Sequence, residues 1–182
     1  MTRLVYSAGV GGRTTIPDIL QSIFACELLA PSRTLWMTSP WISDVRLLDN
    51  RTDEFRGLSR HWSPGWVHLC QVLALIGARG SEIKIMTRPD AHGQAFVERL
   101  HEAVEREMSS AQIQVKMSNT LHEKGILTDT AYLSGSMNFT HKGIFSNDEH
   151  LRLDVDPGVL SEAALAFRQR WTTNQQSHPS FS

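Results

Sequence analysis

The sequence has few of the features that mark disulfide-bonded, zinc-binding or membrane-spanning proteins. Its only cysteines, Cys26 and Cys70, each lie in an apolar run, so we expect two buried free thiols and no disulfide bridge. No C-x-x-C pair or Cys/His spacing predicts structural zinc. No apolar run approaches the ~18 residues of a membrane-spanning helix, and the start "MTRLVYSAGVGG" lacks the apolar stretch of a signal peptide. We therefore expect a soluble, cytoplasmic protein that makes no membrane contact.

An excess of positive charge is also missing. The formal net charge is −1, and only four of the 182 residues are lysines. Proteins that depend on non-specific nucleic-acid binding are usually more basic, so any such contact must come from a local patch. The polar segment 44–64 holds four arginines diluted by four acidic residues, and it predicts a long surface loop. Long loops are often functional, which makes this segment a candidate active-site lid or partner surface.

Helical and extended patterns alternate along the chain. One helix is predicted from Thr15, with Thr15 as its cap and Pro17 in its first turn. The other predicted helices cover 65–80, 93–108 and 157–171. Extended segments are predicted near 3–7, 33–43, 81–89, 112–118, 124–138 and 149–156, with a tight turn inside 124–138. This alternation predicts an α/β sandwich whose mixed sheet is flanked by helices. We expect a single domain over residues 1–175 and a disordered tail over 176–182.

The residues that carry chemistry lie in and after "HEKGILTDTAYLSGSMN". His122 and Lys124 are two apart on a predicted strand, so their side chains should leave the same face. Ser136 and Asn138 have the same spacing on the next segment, and a hairpin would join the two pairs. Glu149 stands near the start of a later strand and could approach the same patch. The sequence therefore predicts one small polar site.

Such a site suits a phosphodiester. An imidazole can attack phosphorus or protonate a leaving oxygen, because its pKa lies near neutrality. An ammonium group and the donors of Ser and Asn can hold the non-bridging oxygens and stabilise charge in the transition state. No cluster of carboxylates is available to hold two metal ions, which favours chemistry without a metal or cofactor.

The segment fits the pattern H-x-K-x4-D-x5-G-S-x-N and so resembles the signature of the phospholipase D superfamily. "NFT" after the Gly-Ser pair, the later "NDEHLRL" and a final helix ending at Trp171 are also similar to that family. The likeness covers roughly residues 33–172. It implies a phospholipase D-like fold with one H-x-K-x4-D motif in the chain.

The resemblance implies a role for each residue of the site. His122 would be the nucleophile that forms a phosphohistidine, and Lys124 and Asn138 would bind the phosphate. Ser136 would assist, and Glu149 would orient the histidine. The remaining signature residues, Asp129 and Gly135, would be structural.

Neighbouring residues offer further contacts with substrate. Trp41 could stack on a base, although a core or interface role fits it equally well. Arg88 could reach a phosphate from the end of its strand. His141 and Lys142 follow the motif and could touch a nucleic-acid backbone, or be ordinary surface residues.

The signature occurs once, and this predicts the assembly. Covalent catalysis of this kind uses one histidine to attack and another to protonate the leaving oxygen. No other histidine is followed two residues later by lysine. Small single-motif members of the family homodimerise around one active site, and we expect the same here.

The resemblance implies a metal-independent phosphodiesterase, with a nuclease acting on DNA as the first hypothesis. The chain looks most like the DpdK-like proteins of prokaryotic 7-deazapurine DNA modification and restriction systems, which implies a defence context and protein partners. A phospholipase-type phosphodiesterase is a second hypothesis. The third is a non-catalytic scaffold or DNA-binding subunit of a larger complex.

Overall fold

The computed structural model describes residues 2–6, 12–107 and 111–173, with the backbone alone for 12–14. The predicted tail, 176–182, lies outside the described residues, and the single-domain prediction stays a prediction. The strands are β1 (Thr2–Tyr6), β2 (Thr34–Thr38), β3 (Arg46–Asn50), β4 (Gly65–His68), β5 (Glu82–Thr87), β6 (Ile113–Met117), β7 (Gly125–Leu127), β8 (Tyr132–Gly135) and β9 (His150–Asp154). The helices are α1 (Gly12–Leu29), α2 (Leu69–Ala78), α3 (Ala91–Glu107), α4 (His141–Phe145) and α5 (Pro157–Thr173).

Seven strands form one mixed sheet in the order β1-β9-β8-β7-β2-β5-β6. β2, β5 and β6 run parallel to one another, and every pairing from β2 through β7, β8 and β9 to β1 is antiparallel. β3 and β4 pair separately as a two-stranded antiparallel sheet. The predicted α/β sandwich with a mixed sheet is therefore confirmed.

The two faces of the large sheet are covered by different helices. One face contributes alternate apolar residues of the strands, such as Leu35, Ile85 and Ile126, to the main core, which also holds apolar residues of α1, α2 and α3. On the other face, Trp36 and Leu127 pack with Leu160, Ala163 and Phe167 of α5. The helices thus sandwich the sheet, and α5 is the helix that closes the second face.

Two lysines fasten the end of α5 to the sheet. Lys116 Nζ donates to the carbonyl oxygen of Trp171 at 2.6 Å and lies 4.7 Å from the Trp171 ring centroid. Lys84 Nζ lies 4.9 Å from the Trp36 ring and 5.8 Å from that of Trp171. These contacts place cations against aromatic faces, an arrangement that stabilises the helix–sheet packing.

The segment 44–64 is more ordered than predicted. It contains β3, and Val45, Leu47, Leu48 and Trp62 are buried. Asn50, also buried, donates from Nδ2 to the Ser63 carbonyl at 3.2 Å and accepts at Oδ1 from the Phe55 N–H at 2.8 Å. The surface-loop prediction was wrong for this part of the segment, because an internal amide replaces the bonds that regular structure would supply.

Several element boundaries also differ from the prediction. α1 begins at Gly12, so Thr15 is not its cap and Pro17 lies beyond the first turn. The segment Gly65–His68 is a strand rather than the start of a helix, and α2 begins only at Leu69. The short helix α4 was not predicted. Cys70 is buried and Cys26 is exposed, and both thiols are free.

Candidate active site

The predicted site residues converge on one edge of the seven-stranded sheet. Because β8 is antiparallel to β7 and β9, the carboxyl ends of β2, β5 and β8 meet the amino ends of β7 and β9 there. His122 and Lys124 precede β7, Ser136 and Asn138 follow β8, and Glu149 precedes β9. The sheet topology therefore collects residues that lie far apart in the sequence.

His122 and Lys124 lie in an irregular segment before β7, not on the strand itself. The prediction that strand alternation aligns their side chains is therefore wrong. Lys124 Nζ instead donates to the carbonyl oxygen of His122 at 2.6 Å, and the Lys124 carbonyl accepts from the Gly135 N–H at 3.4 Å. His122 is exposed, as a nucleophile that must reach a substrate has to be.

Gly135 makes the close turn that joins β8 to the site. Its φ is +156°, and a Cβ at this position would lie 2.1 Å from the His150 carbonyl oxygen. A side chain is therefore excluded, which gives the glycine of the signature a structural reason.

Ser136 and Glu149 are brought together by the same turn. The Ser136 N–H donates to the His150 carbonyl at 3.0 Å, and the His150 N–H donates to Ser136 Oγ at 3.1 Å. The Ser136 hydroxyl donates to Glu149 Oε2, and Asn147 Nδ2 donates to Glu149 Oε1 at 3.2 Å. The carboxylate of Glu149 is thus held at the site by two neutral side chains.

Asn138 is fixed from the end of β2. Its Oδ1 accepts from the buried hydroxyl of Ser39 at 3.1 Å, and Ser39 Oγ also lies 2.9 Å from the Trp41 carbonyl oxygen. A Cβ on Gly143 would lie 2.2 Å from the Asn138 carbonyl oxygen, so α4 approaches this residue closely. Asn138 Nδ2 has no partner among the described residues and can donate to a ligand.

Trp41 and Arg88 meet at the same edge. The Arg88 Cζ lies 5.3 Å from the Trp41 ring centroid, and Arg88 Nε donates to the Leu121 carbonyl at 3.1 Å. Trp41 Nε1 donates to Asp90 Oδ2 at 2.9 Å. Hydrogen bonds from the Gly93 N–H and from Trp41 lower the pKa of the Asp90 carboxyl below its ordinary value.

His141 and Lys142 occupy the first turn of α4, directly after Thr140. The helix is capped by Thr140 Oγ1, which accepts from the Gly143 N–H at 3.2 Å. Both side chains are exposed, and the His141 ring lies 5.0 Å from that of Phe145.

Asp129 lies at the opposite end of the β7–β8 hairpin from His122. Its Oδ2 accepts from the Arg33 N–H at 3.1 Å, and its own N–H donates to Ser32 Oγ at 2.8 Å. The Ser32 hydroxyl donates to the buried Glu27 at 2.8 Å. Burial, and to a smaller degree the charge of Asp129, raises the pKa of Glu27.

Sequence analysis missed three polar residues of this edge. Arg170 of α5 forms an ion pair with Glu123, the residue between His122 and Lys124, and Ser39 holds Asn138. The position of Glu123 inside the motif was the available signal for the first contact, and the "SPWIS" strand end was the signal for the second. Within the described ranges, no group of three or more His, Cys, Asp and Glu side chains is arranged to hold a metal ion.

Comparisons with known proteins agree with this geometry. The chain resembles the solved structures of Nuc from Salmonella typhimurium, a phospholipase D family member, and NucT from Helicobacter pylori. For Nuc the TM-score is 0.60 at 13% identity, covering 98% of this chain and 96% of Nuc. For NucT it is 0.60 at 14% identity, covering 98% and 99%.

TrmBL2, an archaeal chromatin protein with a novel mode of DNA binding, is also similar. Its TM-score is 0.54 at 11% identity, covering 96% of this chain and 53% of TrmBL2. A search of curated proteins finds no match. At these identities, the structural likeness establishes the fold of the phospholipase D superfamily.

Two findings bear on membranes and on family membership. None of the helices in the described part of the chain is long and apolar enough to cross a membrane. The family model described as "Cardiolipin synthase, PLD-like domain" matches residues 66–171, which include the whole signature from His122 to Asn138. The chain therefore belongs to the phospholipase D-like domain family.

Proposed function

We propose that the protein is a metal-independent phosphodiesterase that cleaves DNA through a phosphohistidine on His122. The observation that carries the proposal is the convergence of His122, Lys124 and Asn138 at one sheet edge, with the imidazole exposed. These groups offer a nucleophile, a cation and an amide donor to one phosphate. Family membership supports phosphodiester chemistry as the reaction class.

The reaction takes two displacements at phosphorus. An imidazole nitrogen of His122 attacks, the P–N bond forms, and the bond to the leaving oxygen breaks as that oxygen takes a proton. Lys124 Nζ and Asn138 Nδ2 stabilise the charge on the non-bridging oxygens. Water then attacks the phosphohistidine, breaks the P–N bond and releases the second product, while its proton returns to the acid that acted in the first step.

The acid must come from a second copy of the site. We propose a homodimer in which His122 of the partner subunit protonates the leaving oxygen. The exposure of His122 at the sheet edge supports this arrangement, because a two-fold axis near that edge brings the two imidazoles together. Ser136 and Glu149, bonded to each other, would orient the groups beside the phosphate.

The test is a cleavage assay in EDTA with plasmid, single-stranded DNA and phospholipid vesicles. Wild type is compared with His122→Ala and with a matched control, His101→Ala, whose histidine lies on α3 and pairs with Glu105 at 3.2 Å. We expect EDTA-resistant DNA cleavage that His122→Ala abolishes and His101→Ala retains. Cleavage that survives in His122→Ala would refute the mechanism, and head-group release alone would reassign the substrate to lipid.

A non-catalytic DNA-binding subunit is the second candidate, and the likeness to TrmBL2, a DNA-binding chromatin protein, favours it. It predicts DNA binding that His122→Ala leaves unchanged and no cleavage by wild type. A place among the DpdK-like proteins remains part of the first proposal. It predicts that DNA carrying 7-deazapurine bases is bound or cleaved differently from unmodified DNA of the same sequence.

A further inference from the structure

Trp41 is a large aromatic side chain that the fold orients and leaves accessible. It is 40% exposed, although it lies beside the polar residues of the site. Its Nε1 is fixed by Asp90 Oδ2 at 2.9 Å, and Asp90 Oδ1 accepts from the Gly93 N–H at 2.9 Å at the start of α3. The ring therefore has a set orientation before any ligand arrives.

Arg88 joins this ring to the catalytic segment. Its Nε donates to the carbonyl of Leu121, the residue before His122, and its Cζ lies 5.3 Å from the Trp41 ring centroid. The two terminal nitrogens of Arg88 have no partner among the described residues. A guanidinium held by Nε presents those nitrogens as a fork, which is the geometry that binds phosphate oxygens.

We propose that Trp41 and Arg88 form a nucleotide subsite beside His122 and that the strand cleaved there is single-stranded. Arg88 binds the backbone phosphate next to the scissile one, and Trp41 stacks on an unpaired base. The inference rests on the proposed phosphodiesterase function and names the substrate class of the same site.

Stacking decides between single and double strands. In a duplex, each base is covered by its neighbours, so only an unpaired base can lie on an external indole ring. The charge of the chain points the same way. With a net charge of −1, the protein has little general attraction for the phosphates of a duplex. Stacking supplies affinity that does not depend on many basic residues.

Trp66 provides the matched control. It is 36% exposed, and Arg46 and Arg51 lie 6.0 and 5.4 Å from its ring. It belongs to β4 of the separate two-stranded sheet, however, and Arg51 is paired with Asp49 at 2.6 Å. A general effect of removing an exposed tryptophan would appear at both positions, whereas a subsite effect is confined to Trp41.

The experiment measures cleavage of a labelled strand of about 20 nucleotides in EDTA, as a single strand, annealed to its complement, and as an abasic strand of equal length. We expect wild type to prefer the single strand, with Trp41→Ala lowering kcat/KM on it roughly 5- to 100-fold, mainly through KM. Trp41→Phe should retain most activity, and Trp66→Ala should be unchanged. The abasic strand should respond little to Trp41→Ala.

Equal cleavage of both forms by wild type, or an equal loss on normal and abasic strands, would overturn the inference. Arg88→Gln tests it independently of Trp41 and should lower the salt dependence of single-strand binding by about one phosphate contact. Anisotropy of the labelled strand separates the two proposals. Trp41-dependent binding without any cleavage keeps the subsite and removes the phosphodiesterase, and cleavage indifferent to Trp41 does the reverse.

Discussion

The two ends of the β7–β8 hairpin carry parts of one signature and treat polar groups in opposite ways. At the turn, Asp129 is bonded to Ser32 and Arg33, and Ser32 is bonded to buried Glu27. At the other end, His122 is exposed and Asn138 Nδ2 has no partner among the described residues. Groups that hold the fold are paired within the protein, whereas groups that could meet a ligand are anchored at one side and free at the other.

Lys124→Ala should break this comparison with the largest effect. Loss of one donor to the charged transition state lowers kcat/KM by about 10²- to 10³-fold, and the melting temperature should change little because Nζ bonds only an exposed carbonyl. Asp129→Ala is the control at the other end. It should lower the free energy of unfolding by about 1–2 kcal/mol and keep the activity of the folded protein. Kinetics and thermal unfolding of both variants decide the matter, and a comparable activity loss in Asp129→Ala would contradict the division.

The Glu123–Arg170 ion pair should give an intermediate effect. It ties the residue between His122 and Lys124 to α5. We expect Arg170→Glu to lower kcat about tenfold with a smaller change in KM, since misplacing a reacting group slows the chemical step. The double variant Glu123→Arg/Arg170→Glu should recover most of the loss. Failure of the swap to rescue kcat, with both proteins folded, would show that the pair supports the fold alone.

The smallest effect concerns pH at the turn end. Burial raises the pKa of Glu27 above its ordinary 4.5, so the folded state holds this proton more tightly than the unfolded state. Stability is therefore lost as pH rises through the window that begins near 4.5 and ends at the folded pKa. Glu27→Gln removes this titration. Urea unfolding between about pH 4 and 7 should show wild type losing stability relative to the variant, and parallel profiles would contradict the assignment.

The sequence predicted the sheet and the grouping of the signature because both depend on local patterns. Alternating apolar residues marked β5 and β6, and the hairpin followed from the turn near Asp129. The segment 44–64 could not be predicted, because the bonds of Asn50 to Phe55 and Ser63 satisfy its backbone in a way that polarity does not reveal. The apolar run after Gly65 reads as a helix, and periodicity cannot distinguish a short strand at its start.

The site was predicted in composition and not in detail. The six signature residues were identified from their spacing, but the alignment of His122 and Lys124 was attributed to a strand that begins only at Gly125. Contacts such as Ser39 with Asn138 and Glu123 with Arg170 join residues far apart in the chain, so no local pattern encodes them. The roles of the site residues remain proposals that the variants above test.

The position of α5 in the chain bears on when the protein becomes active in the cell. A ribosome completes the signature, and Glu149 with it, before it makes α5. Until that helix emerges, Trp36 and Leu127 lack their cover, and Glu123 lacks its partner. We expect the proposed nuclease to remain unassembled on the ribosome, which would shield the nucleic acids of translation from a half-made enzyme.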